Sequence, residues 1–293
     1  MTFDFFIIFV PLQERCTKKR KRALLHNIKI MLKLNNKTAL VTGASSGIGA
    51  AIARCLAKEK CDLFLTGQNE RHLVETKDFC EREGVKVSYM VCDISDFQQI
   101  DALVAAIKES FSNIDLFVLN AGISQRDHGF DTDISTDKKI MNVNYYSNVY
   151  LIKKFKEEIL ASKKTNIAVT TSLAGLFGFP LRTSYCASKH ALFGFFESLE
   201  LEYPNIRVTF LIPGRINTPI SLSALTGDGS KYSKMDEGQA KGLDVDKAAR
   251  IALKAIKKEK HRKLIGGIEL IMAYINRYIP ALYYKLANKI SPT

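Results

Sequence analysis

From residue 37 onward, short apolar runs alternate with segments of helical periodicity. The apolar and β-branched runs predict strands at residues 38–42, 62–66, 86–91, 115–119, 166–171, 207–212 and 263–266. The periodic segments predict helices at residues 48–58, 70–83, 97–111, 137–160, 247–260 and 269–290, and one that carries Tyr185 up to Tyr203. This alternation predicts a three-layer α/β fold, in which a doubly wound, mostly parallel seven-stranded sheet has helices on both faces.

The domain organisation predicted from the sequence is simple. No linker rich in Pro, Gly or Ser and no solenoid repeat divides residues 37–270, which predict a single domain. Within it, residues 216–242 are rich in Ser and Gly and too long for an idle connection, so they predict a lid over the substrate. Residues 271–293 predict an amphipathic helical segment, bent at Pro280, that either packs on a subunit or the core or lies on a membrane.

Residues 1–36 predict an N-terminal extension outside the fold. Residues 3–12 are apolar apart from Asp4 and precede a basic cluster at residues 18–22. This stretch is too short to span a bilayer, and a secretory signal has its positive charge before the apolar region. Two interpretations remain open: an interfacial anchor for anionic lipid, or an inert extension, with Met31 as an alternative start.

Of the formal net charge of +13, residues 1–30 carry +5, from seven basic and two acidic side chains. The rest of the chain is mildly basic and has no basic run interleaved with aromatic residues, so no nucleic-acid partner is expected. The six cysteines form no CxxC pair and do not cluster with the histidines. Free thiols, no metal site and a cytoplasmic location are therefore expected, with membrane association through the terminal segments as the alternative.

A glycine cluster at residues 42–49, TGASSGIG, follows the first predicted strand and opens the first predicted helix. Glycines let the backbone turn tightly and approach a pyrophosphate, whose charge is met by amides at the helix N-terminus. An ordinary left-handed turn is the alternative explanation. The place of the cluster between a strand and a helix favours dinucleotide binding.

Tyr185 and Lys189 lie one helical turn apart, on one face of a predicted helix. Tyr150 and Lys154 have the same spacing. The two pairs differ in context, because Ser172 ends an apolar run thirteen residues before Tyr185, whereas a polar stretch stands at that distance before Tyr150.

Three further motifs are Asn120-Ala121-Gly122 after the fourth predicted strand, Asn144 within a predicted helix, and Pro213-Gly214 after the sixth predicted strand. With the glycine cluster, Ser172, Tyr185 and Lys189, they make residues 37–270 resemble the short-chain dehydrogenase/reductase family in its single-domain form. The resemblance implies a Rossmann fold and an oxidoreductase that uses NAD(P). Residues 224–229, ALTGDG, resemble the lid of the dehydrogenase/reductase member-7-like group and, more distantly, of 11-beta-hydroxysteroid dehydrogenase.

The resemblance implies that Ser172, Tyr185, Lys189 and Asn144 are catalytic. Tyr185 would exchange a proton with the substrate oxygen, and Lys189 would stabilise its phenolate. Ser172 would hold the substrate oxygen, although a strand-end hydroxyl that bonds its own backbone is the alternative. Asn144 would support a water that links Lys189 to solvent.

The resemblance also implies a set of cofactor-binding residues: Gly43, Ser45, Ser46, Gly47, Ile48, Gly49, Gln68, Arg71, Asp93, Ile94, Asn120, Ala121, Gly122, Tyr185, Lys189, Pro213, Gly214 and Thr218. Asp93 either meets the adenine or caps a turn. The acid expected after the second strand for the ribose of NAD is absent at Gly67. The basic residues common in NADP-preferring members are missing at Gln68 and Ser46 as well. Space at Gly67 and the nearby Arg71 favour NADP over NAD.

The predicted substrate is a lipophilic ketone or aldehyde and its alcohol. An apolar pocket is predicted from a set of large side chains, some of which will pack the core instead: Leu173, Leu176, Phe177, Phe179, Leu222 and Leu225. A homo-oligomer, either a dimer or a tetramer, is expected. The alternative functions are a catalytically silent nucleotide-binding protein and a membrane-associated scaffold on the same fold.

Overall fold

The computed structural model describes residues 31–287. Its centre is one seven-stranded sheet in the order β3-β2-β1-β4-β5-β6-β7. Every pair of neighbouring strands is parallel. The strands are β1 (Thr38–Thr42), β2 (Asp62–Gly67), β3 (Val87–Val91), β4 (Leu116–Leu119), β5 (Thr165–Thr170), β6 (Ile206–Pro213) and β7 (Arg262–Ile265).

Helices connect the strands and cover both faces of the sheet. The longer ones are α1 (Gly47–Lys58), α2 (Glu70–Arg82), α3 (Phe97–Ser110), α4 (Ile134–Met141), α5 (Ser147–Lys154), α6 (Lys156–Ala161), α7 (Thr183–Glu202), α8 (Val245–Lys257), α9 (Ile271–Tyr278) and α10 (Pro280–Ala287). A four-residue helix, Glu237–Ala240, precedes α8. The alternation of strands and helices confirms the predicted doubly wound fold.

The hydrophobic core lies in two layers, one on each face of the sheet. Along β1, Leu40 belongs to one layer, whereas Ala39 and Val41 belong to the other. This division follows from the period of two along a strand. Because both faces are covered, the strands at the centre of the sheet are largely apolar, as is typical of parallel sheets, and β4 consists of four buried apolar residues.

The predicted boundary at residue 37 is too late. Leu34 is buried in the core layer that contains α1 and α8. The backbone N–H of Leu32 donates a hydrogen bond of 2.7 Å to the carbonyl of Lys257. The fold therefore includes residues from Leu32 onward, while the interpretations of residues 1–30 concern a segment outside the described residues.

Two predicted helices are interrupted. The helix predicted at residues 137–160 is divided by a π-helical segment, Asn142–Tyr146, and again at Phe155. The one predicted at residues 269–290 is split into α9 and α10, because Pro280 has no N–H to continue the helical ladder. Its last three residues lie outside the described part. No helix within residues 31–287 combines the length and apolar character needed to cross a bilayer.

Candidate active site

Two adjoining cavities lie at the carboxyl-terminal edge of the sheet, where ligands bind in doubly wound folds. The first, of about 440 Å³, is bordered by the loop after β1, and we call it the glycine-loop cavity. The second, of about 380 Å³, is bordered by the segment after β6 and by α9, and we call it the lid cavity. The cavities adjoin because they share wall residues, namely Ile48, Tyr185, Pro213, Thr218 and Ile220.

The glycines after β1 are required by the backbone itself. Gly43 and Gly47 have φ of +66° and +54°, which disfavour any side chain. A Cβ on Gly49 would lie 2.3 Å from the carbonyl oxygen of Gly43, so only glycine lets α1 start this close to the loop. Gly67, where the sequence suggested space for a phosphate, lines the glycine-loop cavity, but a Cβ there would lie 2.9 Å from Ser45 Oγ.

Most of the predicted cofactor residues line the glycine-loop cavity: Gly43, Ser45, Ser46, Gly47, Ile48, Gln68, Asp93, Ile94, Asn120, Ala121, Gly122, Tyr185, Lys189, Pro213 and Thr218. Three do not. Gly49 packs against the loop, Gly214 lines the lid cavity instead, and the exposed Arg71 pairs with Glu75 at 3.2 Å.

Lys139 and Lys231 also line the glycine-loop cavity. Neither belongs to a motif in the sequence. Lys139 lies on α4 and Lys231 in the lid, so only the fold brings these two cations to the cavity.

Asp93 and Asn120 stabilise the loops around this cavity. Asp93 Oδ1 accepts hydrogen bonds from the backbone N–H and the hydroxyl of Ser95, at 2.9 and 2.7 Å. Burial opposes its ionisation, but hydrogen bonds from Ser95 and Gln68 outweigh burial and lower its pKa. Asn120 Nδ2 donates to the carbonyl of Thr42, which joins the ends of β1 and β4. Asp93 thus makes the turn contacts and also lines the cavity.

Tyr185 and Lys189 lie on the first turns of α7 and are both buried. Lys189 Nζ donates a hydrogen bond of 3.0 Å to the carbonyl of Thr170, at the end of β5. Ser172 follows that strand, and its Oγ accepts a hydrogen bond of 3.2 Å from the N–H of Ala174. Ser172 therefore makes the local backbone contact that was the alternative explanation for its hydroxyl. It also lines the lid cavity beside Tyr185.

The electrostatics of this cluster are dominated by burial. Burial raises the pKa of Tyr185, while the Ser172 hydroxyl and the charges of Arg182 and Arg126 act in the opposite direction. Burial also lowers the pKa of Lys189 to about 8. In the protein alone, the cations that favour the Tyr185 phenolate thus include two arginines that belong to no sequence motif.

Asn144 is fully buried in the π-helical segment. Its Oδ1 accepts from the N–H of Ile123 at 2.8 Å, and its Nδ2 donates to the Ile123 carbonyl and to Ser188 Oγ, both at 2.9 Å. The wider helical turn places this amide between the loop after β4 and α7. π-helical turns are often found at functional sites.

A buried charge cluster borders the lid cavity. Asp236, from the lid, pairs with Arg126 and lies 3.3 Å from Arg182 Nη2. Arg126 Nε also donates to Asp236 Oδ2 at 3.0 Å. The cluster fixes the segment predicted as a lid to the start of α7, and its three members are too far apart in sequence to be recognised as a motif.

Gln125 holds the start of α7 in place. This buried side chain accepts hydrogen bonds at Oε1 from the backbone N–H groups of Ser184, at 2.9 Å, and Tyr185, at 3.4 Å. The first N–H groups of a helix have no partner within the helix. Gln125 therefore positions the turn that carries Tyr185.

The apolar lining of the lid cavity differs in part from the prediction. Leu173 and Phe179 line it as expected. Phe177 is buried in the core, Leu176 packs against that core, Leu222 is exposed and Leu225 lines the glycine-loop cavity. The remaining apolar lining comes partly from the C-terminal region, through Ile268, Ile271 and Met272.

The second Tyr–Lys pair lies on the surface. Tyr150 donates its hydroxyl to the carboxylate of Asp101, and Lys154 pairs with Asp101 at 2.7 Å. The Tyr150 ring also stacks on Phe97. This pair borders neither of the two cavities.

The parallel sheet with its glycine-lined cavity defines a protein of the Rossmann type, with a site of the kind that binds nucleotides at the carboxyl ends of the strands. A family model described as short chain dehydrogenase matches residues 37–227. The chain belongs to the short-chain dehydrogenase/reductase family and is an oxidoreductase acting on CH–OH groups with a nicotinamide nucleotide.

Two relatives illustrate the similarity. "Dehydrogenase/reductase SDR family protein 7-like" from Anopheles gambiae is 36% identical over 272 residues, covering 89% of this chain and 86% of the relative. "Dehydrogenase/reductase SDR family member 7B" from Mus musculus is 33% identical over 270 residues, covering 90% of this chain and 84% of the relative. The predicted resemblance to the member-7-like group is confirmed.

Solved structures show the same fold. A short chain dehydrogenase/reductase from Burkholderia phymatum in complex with NAD has a TM-score of 0.75 at 23% identity, covering 90% of this chain and 98% of that one. An alcohol dehydrogenase from Thermococcus sibiricus complexed with 5-hydroxy-NADP has a TM-score of 0.68 at 26% identity, covering 79% and 97%.

Proposed function

We propose that the protein interconverts a lipophilic ketone or aldehyde and its alcohol, with Tyr185 as the general acid and base. The observation that carries this proposal is that Tyr185 lines both cavities. Of its two neighbours, Ser172 lines the lid cavity and Lys189 lines the glycine-loop cavity. A substrate oxygen beside Ser172 would therefore lie next to the phenol and close to a bound nucleotide.

The residues of the glycine-loop cavity suit a dinucleotide, because its glycines leave backbone amides free to approach phosphates at the start of α1. Asn120, Pro213 and Thr218 would complete the site. When bound there, the nicotinamide nucleotide supplies or accepts the hydride.

The chain's own residues handle the proton. In reduction, Tyr185 donates its proton to the carbonyl oxygen as negative charge develops there, and the Ser172 hydroxyl donates a hydrogen bond to the same oxygen. Arg182 and Arg126 favour the phenolate that remains. Lys189, with a pKa of about 8, is positively charged at neutral pH, and its ammonium lies 5.8 Å from the centroid of the Tyr185 ring, where it also favours the phenolate. A proton from solvent then restores the phenol. Asn144 supports a water that connects Lys189 to solvent.

The lipophilic character of the substrate is inferred from the lid cavity. Its wall includes Leu173, Phe179, Ile271 and Met272. Small-molecule sites are commonly apolar with a few placed polar groups. Here those groups include Ser172, Tyr185 and the Arg126–Asp236–Arg182 cluster.

We infer that NADP is preferred to NAD. No acidic side chain follows β2 at Gly67 or Gln68 to hold the ribose hydroxyls. Lys139 adds a cation to the glycine-loop cavity. Arg71 does not support the inference, since it pairs with Glu75 away from the cavity. Comparing kcat/KM for NADPH and NADH tests the preference, and a higher value with NADH would overturn it.

A panel of lipophilic ketones, aldehydes and secondary alcohols, assayed with both nucleotide pairs, tests the proposed function. We expect turnover that rises with the apolar size of the substrate until the lid cavity is filled. Turnover confined to small polar substrates would contradict the lipophilic assignment. Nucleotide binding with no turnover of any member would favour a catalytically silent protein.

A further inference from the structure

The last two helices carry an exposed apolar surface. We call it the C-terminal apolar face, formed by Ile268, Ile271, Tyr274, Tyr278, Ile279, Leu282 and Tyr284. Tyr278 is 72% exposed and Ile268 is 89% exposed. Such a concentration of exposed apolar side chains on two consecutive helices is typical of an interaction site.

The same helices are held firmly on their inner side. Tyr283 is buried, and its ring centroid lies 4.9 Å from that of Phe177. Its hydroxyl donates a hydrogen bond to the carbonyl of Gly178. Ala287 is buried against the same core layer. The outward direction of the apolar side chains is therefore fixed by packing and does not result from a loose segment.

Charge indicates what covers the face. Arg277 and Lys285 are exposed among its apolar residues. The acidic side chain between Ile268 and Tyr284 is that of Glu269, which is only partly exposed and accepts hydrogen bonds from the backbone N–H groups of Arg215 and Gly267. We propose that the C-terminal apolar face docks on an anionic lipid membrane, with its apolar and tyrosine side chains in the interfacial layer and these two cations at the headgroups.

A second copy of the chain fits this face less well. In a two-fold symmetric dimer, each copy presents the same patch to the other. The interface would then hold four cations, Arg277 and Lys285 of both copies, while Glu269 is already hydrogen-bonded to backbone N–H groups of its own chain. An anionic membrane supplies the missing counter-charge.

The face is continuous with the lid cavity. Ile268 and Ile271 are exposed members of the face and also line that cavity, together with Met272. Docking would thus place the cavity wall at the membrane surface. This step rests on the proposed function, since a lipophilic substrate dissolved in the bilayer would reach Tyr185 without crossing water.

The test compares full-length wild type with the variant Tyr278→Ser/Ile279→Ser in sedimentation with vesicles of phosphatidylcholine and phosphatidylserine. Neither residue lines either cavity. The matched control is Leu160→Ser/Leu201→Ser, which removes two apolar side chains of similar total exposure from α6 and α7. We expect the first variant to lose at least about tenfold in vesicle partitioning, and the control to stay within about twofold of wild type.

Three results would overturn the proposal. One is a wild type that does not sediment with these vesicles, and another is unchanged partitioning of Tyr278→Ser/Ile279→Ser. The third is a lipid-free dimer that this variant makes monomeric, since a second copy would then cover the face. Turnover of a water-soluble carbonyl compound, measured in parallel, should be equal in wild type and in Tyr278→Ser/Ile279→Ser. Vesicle binding through this face without any turnover would contradict the proposed function alone.

Discussion

The ammonium nitrogen of Lys189 lies 5.8 Å from the centroid of the Tyr185 ring, one turn along the same buried helical face. Lys189 is bound to the carbonyl of Thr170 rather than to the phenol oxygen. The two side chains therefore differ in which cavity they reach. Tyr185 reaches both cavities, while Lys189 reaches the glycine-loop cavity.

Replacing Tyr185 by Phe should reduce kcat by at least about 100-fold, because the proton donor is lost while the ring still fills its site. Nucleotide affinity, measured by fluorescence titration, should change little. Tyr150→Phe is the matched control, since Tyr150 has the same Tyr–Lys spacing but contacts Asp101 on the surface. Equal activity of the two variants would remove Tyr185 from the mechanism.

Lys189 should make stability depend on pH. Burial lowers its pKa from 10.5 to about 8, so between these values the unfolded chain binds more protons than the folded one. The resulting penalty is complete below about pH 8 and disappears as the pH rises towards 10.5. Relative to wild type, Lys189→Met should therefore gain about 2 to 3 kcal/mol more at pH 7 than at pH 10.

Urea unfolding of both proteins at several pH values measures this difference. The comparison with the variant is needed because burial raises the pKa values of several cysteines, Cys61 among them to about 12. Those thiols lower the stability of both proteins above about pH 9. A pH-independent difference between the two proteins would show that Lys189 keeps its ordinary pKa.

Asp236→Asn should destabilise the protein by about 3 to 5 kcal/mol, because it removes the charge of a buried carboxylate that pairs with Arg126 and also lies beside Arg182. The Arg126 and Asp236 side chains are only 3% and 4% exposed. Asp246→Asn is the control, since its partner Arg54 lies near the surface and the pair should contribute less than about 1 kcal/mol. Similar decreases in melting temperature for Asp236→Asn and Asp246→Asn would contradict a larger contribution of the buried cluster to stability.

Two helical glycines should respond to alanine in opposite directions. A Cβ on Gly49 would collide with the carbonyl of Gly43, so Gly49→Ala should weaken nucleotide binding and lower the melting temperature. A Cβ on Gly194, in α7, would meet no atom within 4 Å. Gly194→Ala should therefore stabilise the protein by about 0.5 to 1 kcal/mol. Equal effects would mean that the loop after β1 can move aside.

The strands, most of the helices and the glycine loop could be predicted because their signals are local. The continuous apolar runs of the strands reflect burial on both faces, and the positive φ of Gly43 and Gly47 reflects the tight turn that their spacing indicates. The bend at Pro280 was predicted, whereas the interruption of the helix at residues 142–146 was not. An extra residue in a π-helical turn around Asn144 does not disturb the apolar periodicity enough to be recognised.

The sequence by itself determined the doubly wound fold, the family, and the order in which the site residues follow the strands, since each depends on residues close in the chain. Only the tertiary structure decided which side chains meet. Arg126 and Asp236 are 110 residues apart yet form one buried pair, and Lys139 reaches a cavity that Arg71 does not. Such contacts arise from how helices and loops pack over a shared sheet edge, and no local pattern records that packing.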